Sequence, residues 1–253
     1  MDLKAEMTTH ISVIQQLNAI GNQYCTMPFL QAATNLLESS AAPWLLSGDV
    51  MDFDETLQFS EQNSNVLVRC YATVVQFDLF VIFQQWEAAK KLLVDAGDLS
   101  QIVIGLYHVV RLAFLDGLIS LKAAQLSSSW RERRKWTKRA QKTMKTMKGW
   151  IKKGNVNVVH TGHLLAAEYA VLKGRNEQAE EQFKNAAKVA RRNGFRQDRA
   201  LSHELAGIYY TEKGDAYWAD HHLKKAHEVY LEWEAKSKAE HLASKYPLIV
   251  EKV

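Results

Sequence analysis

Two stretches of the chain between His160 and Ala235 resemble each other in sequence. Matching residues are separated by a constant interval, the distance in sequence from Gly174 to Gly214, and we call this interval the repeat period. Small and aromatic residues recur at matching positions of the two copies. The matched pairs are Gly174 with Gly214, Ala179 with Ala219, Phe183 with Leu223, Ala186 with Ala226, Tyr169 with Tyr209, His163 with His203 and Ala167 with Gly207. A period of this size is typical of stacked helical hairpins, in which no unit can bury its apolar face alone. The repeat therefore predicts an all-α fold.

Regular apolar periods extend the helical prediction beyond the two copies. Helices are predicted over residues 65–83, 86–96, 99–124, 128–153, 156–173, 176–193, 197–213 and 216–245. The connections are short, so successive helices must be antiparallel neighbours. We therefore expect an α-solenoid of tetratricopeptide-like hairpins at 65–97, 99–153, 156–193 and 197–245. With an N-terminal helical cap and acidic loop at 1–64, they form a single helical-repeat domain, 1–253.

The N-terminal region has weaker signals. Apolar spacing predicts a first helix that ends near Gly21 and a second that follows Pro28, with a short helix at 53–59 inside a long connection. Acids cluster in this connection, at Asp49, Asp52, Asp54 and Glu55. They lack the spacing of a calcium loop, so we interpret them as a solvated acidic loop or as a partner for a basic helix.

Charge is distributed unevenly along the chain. The net charge is +4, but residues 1–65 contain one base and eight acids, a balance of −7. Residues 130–153 contain eleven bases and the single acid Glu132, a balance of +10. A folded, exposed segment of this kind makes a strong positive surface.

An apolar stripe runs through this basic segment and predicts a helix with one buried side. The stripe consists of Trp136, Ala140, Thr143, Met144, Met147 and Ile151. The candidate basic surface is Trp130, Arg131, Arg133, Arg134, Lys135, Lys138, Arg139, Lys142 and Lys145. Three interpretations of this surface stay open. It is a solvated face, it docks on an acidic protein surface, or it binds an anion or a nucleic acid with Trp130 stacked on a base. The first two are favoured because no nucleic-acid recognition motif is present.

A second candidate surface follows from the hairpin arrangement, because the first helix of each hairpin lines a concave groove in tetratricopeptide-like stacks. The groove candidates are Thr161, Leu164, Glu168, Val171, Leu201, Glu204, Ile208 and Thr211. An apolar groove with a few acids suits an extended peptide or an amphipathic helix that carries a base. The alternative is that the chain's own C-terminal helix, within 218–245, covers these residues.

The C-terminal half also carries a family resemblance. The residues that carry it are Asn193-Gly194-Phe195, the run from Ala200 to Tyr210, Gly214, Ala219, His222-Leu223, Ala226, Tyr230, Trp233-Glu234-Ala235-Lys236 and Tyr246-Pro247. This pattern resembles the helical repeat region that follows the AAA-type ATPase module in very large kinase/ATPase signalling proteins. The usual Trp-Gly-Ala is Trp233-Glu234-Ala235 here, which predicts an unbroken helix.

The resemblance implies a protein–protein interaction scaffold or adaptor rather than a catalyst. The chain has no P-loop, no kinase glycine loop and no nucleophile elbow. His160 and His163 lie one helical turn apart without a third zinc ligand at matching spacing, so packing is the better interpretation. We expect no catalytic residue, metal or cofactor.

No long apolar run or basic leader is evident, and Cys25 and Cys70 lack CxxC spacing. A membrane span is therefore not expected, and reduced thiols in a cytoplasmic protein are the expectation.

Overall fold

The computed structural model describes residues 3–97, 99 and 107–247, and the regular elements in these ranges are all helices. They are α1 Leu3–Gln16, α2 Ile20–Leu37, α3 Phe53–Gln62, α4 Val66–Ile82, α5 Trp86–Asp95, α6 Tyr107–Leu126, α7 Trp130–Lys152, α8 Val159–Leu172, α9 Asn176–Arg192, α10 Arg196–Lys213, α11 Ala216–Glu232 and α12 Lys236–Lys245, with a 3₁₀ turn at Val156–Val158. The all-α prediction is confirmed. The first turns of the helix predicted at 99–124 lie largely outside the described residues.

The chain divides into two compact units, Met1–Leu112 and Ala113–Val253, and the division falls inside α6. The single helical-repeat domain over 1–253 stays a prediction. A boundary within a helix has no Pro, Gly or Ser linker to mark it, so composition could not reveal it.

The first unit differs from the prediction at the start of α2. The helix begins at Ile20, and Pro28 lies buried in its interior rather than at its first turn. A proline here removes one backbone hydrogen bond of the helix. Packing of α2 against α1 and α4 offsets this loss, which the local sequence signal could not show.

The long connection between α2 and α3 is tied down by buried amide side chains. Gln76 of α4 accepts a hydrogen bond from the Leu46 amide at 2.8 Å and donates one to the Trp44 carbonyl at 2.7 Å. Gln31 of α2 accepts from the Val50 amide at 2.9 Å. These bonds satisfy backbone groups that would otherwise be buried without partners.

The acidic cluster has a structural role at the start of α3. Asp52 caps this helix, because its Oδ1 accepts from the amides of Asp54 at 2.9 Å and Glu55 at 3.1 Å. The backbone hydrogen bond from Glu55 is the main reason why the pKa of Asp52 is lowered. The helix starts at Phe53 as predicted and extends to Gln62.

In the second unit, α8 with α9 and α10 with α11 form two antiparallel hairpins whose turns lie at Gly174 and Gly214, with φ of +66° and +80°. The backbone repeats its conformation after each hairpin as well. Gly154, Gly194 and Glu234 follow one another at intervals of one repeat period and have φ of +87°, +78° and +64°.

The positive φ of Glu234 overturns the prediction of one helix over 216–245. The chain leaves α11 after Glu232 and starts α12 at Lys236, because Glu234 adopts the left-handed conformation that Gly194 adopts one repeat period earlier. A non-glycine residue is strained there, so the residue type did not indicate the break.

Candidate functional site

Most of the groove candidates are buried in the structure. Thr161, Leu164, Glu168, Leu201 and Glu204 are buried, Val171 and Ile208 are half-buried, and Thr211 is exposed. The two acids that were expected to bind a partner's base are both 1% exposed. Each of them is instead bound by a base of this chain.

Glu168 of α8 pairs with two side chains of α6. The Lys122 Nζ lies 2.7 Å from Glu168 Oε2, and Gln125 Nε2 donates to the same oxygen at 2.8 Å. Gln125 Nε2 also lies 3.0 Å from the Glu168 carbonyl oxygen. The carboxylate is thus used inside the protein.

Glu204 of α10 is held in the same way by α11 and α12. Lys238 Nζ donates to Glu204 Oε1 at 2.6 Å, and Tyr230 Oη donates to Oε2 at 2.6 Å. Burial lowers the pKa of Lys238, and the adjacent Glu204 carboxylate opposes that shift. The alternative in which the C-terminal helix covers the groove is therefore what occurs at Glu204.

A third pair joins α8 to α10, where His160 Nε2 lies 2.8 Å from Asp198 Oδ2. The His160 ring also stacks on Phe195, with ring centroids 4.3 Å apart. Each step from α6 to α8, α10 and α12 therefore contains one buried polar or charged contact. We call Lys122–Glu168, His160–Asp198 and Glu204–Lys238 the buried pairs.

Three further histidines make contacts within the two hairpins. His163 Nδ1 lies 2.8 Å from Gln182 Oε1, and one repeat period later His203 Nδ1 lies 3.0 Å from His222 Nδ1. Burial lowers the pKa of His203 to about 3 and that of His222 to about 4. Within residues 3–97, 99 and 107–247, no group of three or more His, Cys, Asp or Glu side chains is arranged to hold a metal ion.

The basic segment forms α7, and its inner side matches the predicted stripe in part. Trp136, Ala140 and Met147 are buried, whereas Thr143, Met144 and Ile151 are half-buried. Thr137, which the stripe did not include, is buried too. Most exposed positions of α7 are occupied by bases, and the exceptions are Trp130, Gln141 and Thr146.

Two of the candidate bases make structural contacts. Arg139 forms a two-pronged ion pair with Asp116 of α6, with Arg139 Nη2 at 2.8 Å from Asp116 Oδ2 and Nε at 2.9 Å from Oδ1. Arg133 Nη2 donates to the Leu172 carbonyl of α8 at 3.0 Å. These two residues help to hold α7 against its neighbours.

Five exposed bases follow one another along the outward side of α7 at intervals of three or four positions, which places them in one row. They are Arg131, Arg134, Lys138, Lys142 and Lys145, and we call this row the basic ladder. At the rise of an α-helix, about 1.5 Å per residue, the row is about 21 Å long. Lys135 lies beside it, and Trp130 stands at its start with 66% of its surface exposed.

No protein-family model, curated protein or solved structure matches this chain. No helix in the described part of the chain has the length and apolar character needed to cross a membrane.

Proposed function

We propose that this chain is a non-catalytic scaffold that binds an acidic segment of a partner protein through the basic ladder of α7. The observation that carries the proposal is the single row of exposed Arg and Lys side chains on a helix whose opposite side is buried. Because the inner stripe anchors α7, the ladder can bind a ligand without unfolding the helix that presents it.

The proposed architecture behind this function is an α-solenoid of tetratricopeptide-like hairpins. The recurrence of positive φ at Gly154, Gly194 and Glu234 and the repeated side-chain contacts between hairpins support it. On the family resemblance, we propose a cytoplasmic signalling role, as an adaptor or as part of a larger signalling ATPase.

An acidic α-helix is the partner chemistry that fits the ladder best. Carboxylates at positions i, i+4 and i+8 of a partner helix form a row with the same spacing as Arg134, Lys138 and Lys142. Complementary rows of this kind raise association rates and fix orientation more than they raise affinity. Binding is therefore expected to weaken steeply with salt.

Nucleic acid is the second candidate, and the exposed indole of Trp130 is the observation that favours it. A base could stack on this ring while phosphates contact the ladder. The other aromatic side chains of α7 are less accessible, since Trp136 is buried and Trp150 is half-buried. A sequence of stacking platforms along the ladder is thus lacking within α7.

The two candidates can be separated by fluorescence anisotropy. Labelled probes would be an acidic helical peptide with Glu at i, i+4 spacing, a single-stranded RNA and a duplex DNA, all matched in charge. A triple variant, Arg134→Glu, Lys138→Glu and Lys142→Glu, is expected to weaken peptide binding by about tenfold or more, since each exposed ion pair is worth up to about 1 kcal/mol.

The matched control is the triple variant Lys184→Glu, Lys188→Glu and Arg191→Glu, which reverses three exposed bases on α9. It changes the net charge equally and should alter peptide affinity by less than about twofold, because long-range effects are screened by salt. Equal losses in both triples would contradict a defined docking surface. Tighter binding of the RNA, with loss on Trp130→Ala and a log–log salt slope of about −4, would favour the second candidate.

A further inference from the structure

A cleft lies beside the turn that joins α10 to α11, and it is separate from α7. Its volume is about 360 Å3. Its lining is mostly apolar, and we call it the terminal cleft; it is lined by Thr211, Gly214, Ala216, Ala219, Asp220, Leu223, Lys245, Tyr246 and Pro247. Six of these nine residues belong to the hairpin α10–α11, and three belong to the end of α12 and the residues after it.

The matching surface of the preceding hairpin is covered by α10. A shift of one repeat period places Leu223 on Phe183 and Asp220 on Glu180. The Tyr209 ring of α10 packs on Phe183, with centroids 5.8 Å apart, and its hydroxyl lies 3.4 Å from Glu180 Oε1. Lys213, one turn further along α10, places its Nζ 2.6 Å from the same oxygen.

One hairpin earlier, α8 covers α7 with the same pair of residue types. Tyr169 stands one repeat period before Tyr209, and its hydroxyl accepts a hydrogen bond from Gln141 Nε2 of α7 at 2.9 Å. Lys173 follows it one helical turn later, and its Nζ lies over the Tyr169 ring at 5.5 Å. The sequence Tyr-x-x-x-Lys therefore stands at the end of both helices, with Lys173 as the residue that follows α8, and in both the tyrosine contacts the second helix of the hairpin before it.

The helix α12 is shorter than its counterpart α10. This helix starts in register with α10, since Lys236 matches Arg196, but it ends at Lys245, where Pro247 follows. The positions that match Tyr209 and Lys213 are Ile249 and Val253, which are neither tyrosine nor lysine and lie outside the described residues. Among the described residues, the surface over Leu223 and Asp220 is bordered by Lys245, Tyr246 and Pro247 instead of by a helix end with Tyr-x-x-x-Lys.

We propose that the terminal cleft binds the last turn of a partner protein's α-helix that carries Tyr-x-x-x-Lys, with the aromatic ring over Leu223 and the ammonium group on Asp220. The chemistry of the ligand is read from the end of α10, where Tyr209 and Lys213 contact Phe183 and Glu180, the positions equivalent to Leu223 and Asp220. Asp220 is accessible for this contact, because its side chain is 42% exposed and its ion pair with Lys224, at 2.8 Å, lies on the surface.

This site does not depend on the basic ladder or on an acidic partner. It calls for a ligand with the opposite charge, so failure at one surface leaves the other untouched. A helix of a second copy of this chain and the chain's own last residues are the competing occupants.

The test uses this chain's own sequence as the probe. A labelled, helix-stapled peptide with residues 196–213, which ends in Tyr209-x-x-x-Lys213, would be titrated with the full chain in fluorescence anisotropy. Saturable binding is expected, and a peptide with Tyr209→Ala should lose about tenfold in affinity, since burial of an aromatic side chain is worth about 1.5 kcal/mol or more. Absence of saturable binding would overturn the proposal.

A charge exchange locates the site. Asp220→Lys in the chain should weaken the peptide about three- to fivefold, and a peptide with Lys213→Glu should bind this variant better than the unchanged peptide does. Glu228→Lys is the matched control, because it reverses an exposed acid of α11 that does not line the cleft and should leave the affinity unchanged. Equal effects of both variants would place the peptide elsewhere.

The competing occupants give distinct results. Peptide binding that appears only in a chain truncated after Pro247 would assign the cleft to residues 248–253 and overturn the proposal. A second copy as occupant would appear as concentration-dependent association of the full chain that Ala216→Trp abolishes, because Ala216 is an exposed residue of the lining. A monomeric chain that binds the peptide, and loses it on Ala216→Trp, supports the proposal.

Discussion

The outward side of α7 and the helices α6, α8, α10 and α12 both carry charged residues, but these residues differ in their exposure to solvent. On α7 the bases of the ladder are exposed, whereas Glu168, Glu204 and Lys238 are buried and paired. A charge that leaves water must be compensated inside the protein, while an exposed charge costs little and gains little. The buried pairs thus join neighbouring helices of the chain, whereas the bases of the ladder face solvent.

The largest expected effect comes from breaking one buried pair. Lys238→Met removes the ammonium group from Glu204 and leaves a carboxylate that is 1% exposed. Loss of one partner of a buried pair typically costs about 3–5 kcal/mol. We expect a reduction of this size in the free energy of unfolding, measured by urea denaturation followed by circular dichroism.

Two controls separate burial from charge loss. Lys236→Met removes an exposed lysine from the same helix and should change the stability by less than about 0.5 kcal/mol. The double variant Lys238→Met/Glu204→Gln removes both charges and should recover part of the loss. A Lys238→Met variant as stable as Lys236→Met would refute the role assigned to the pair.

A smaller effect is expected from Gly207 in α10, where two helices of a hairpin approach closely. A Cβ atom at this position would lie 2.7 Å from Leu223 Cγ and 3.2 Å from the Leu223 backbone nitrogen. Overpacking of this kind costs about 1–3 kcal/mol, although alanine favours the helical backbone. We expect Gly207→Ala to destabilise the chain in urea unfolding; an increase in stability would show that α10 and α11 can separate freely.

A further effect is expected from pH, through the contact between His203 and His222 in the hairpin α10–α11. His203 and His222 have folded pKa values of about 3 and about 4, below the value of 6.5 for a free histidine, mainly because of burial. The unfolded chain therefore binds more protons between about pH 4 and 6.5, so stability is complete above this range and is lost as the pH falls through it. The urea midpoint should decrease from pH 7 to pH 5.

The preceding hairpin provides the control, because Gln182 stands one repeat period before His222. His222→Gln should reproduce the His163–Gln182 contact and reduce the drop in the urea midpoint between pH 7 and pH 5. Other histidines whose pKa is lowered by burial, His108, His227 and His241, contribute equally to both proteins. An unchanged drop in the variant would contradict the assignment to this pair.

Sequence reasoning predicted the repeat region well, because its signals are local. Glycines at Gly174, Gly194 and Gly214 mark the ends of α8, α9 and α10, and each of these helices ends within one residue of its predicted end. The break at Glu234 was missed because a glutamate is not a turn residue. The sequence signal for this break was position alone, because Glu234 follows Gly154 and Gly194 at intervals of one repeat period.

The two candidate sites also differ in whether local sequence signals could predict them. The ladder on α7 follows from helical periodicity within one segment, so its outward direction could be predicted. The pairing of Glu168 and Glu204 could not be predicted, because their partners come from distant segments: Lys122 belongs to α6, before the basic helix, and Lys238 belongs to α12, after the last hairpin. No local pattern shows that such charges will meet, since the contact depends on how separate helices pack.

The smallest expected effect is that of Gly149→Ala in α7, which should increase the stability, whereas Gly207→Ala should decrease it. Gly149 is an interior residue of α7, and a Cβ atom added there would have no neighbour within 4 Å. Alanine restricts the unfolded chain and favours the helix, so Gly149→Ala should stabilise the protein by about 0.5–1 kcal/mol in urea unfolding. The same variant should leave acidic-peptide binding unchanged, because it adds no charge to the row. Destabilisation would mean that the outer side of α7 packs against a surface, and the ladder would then not be free to bind a partner.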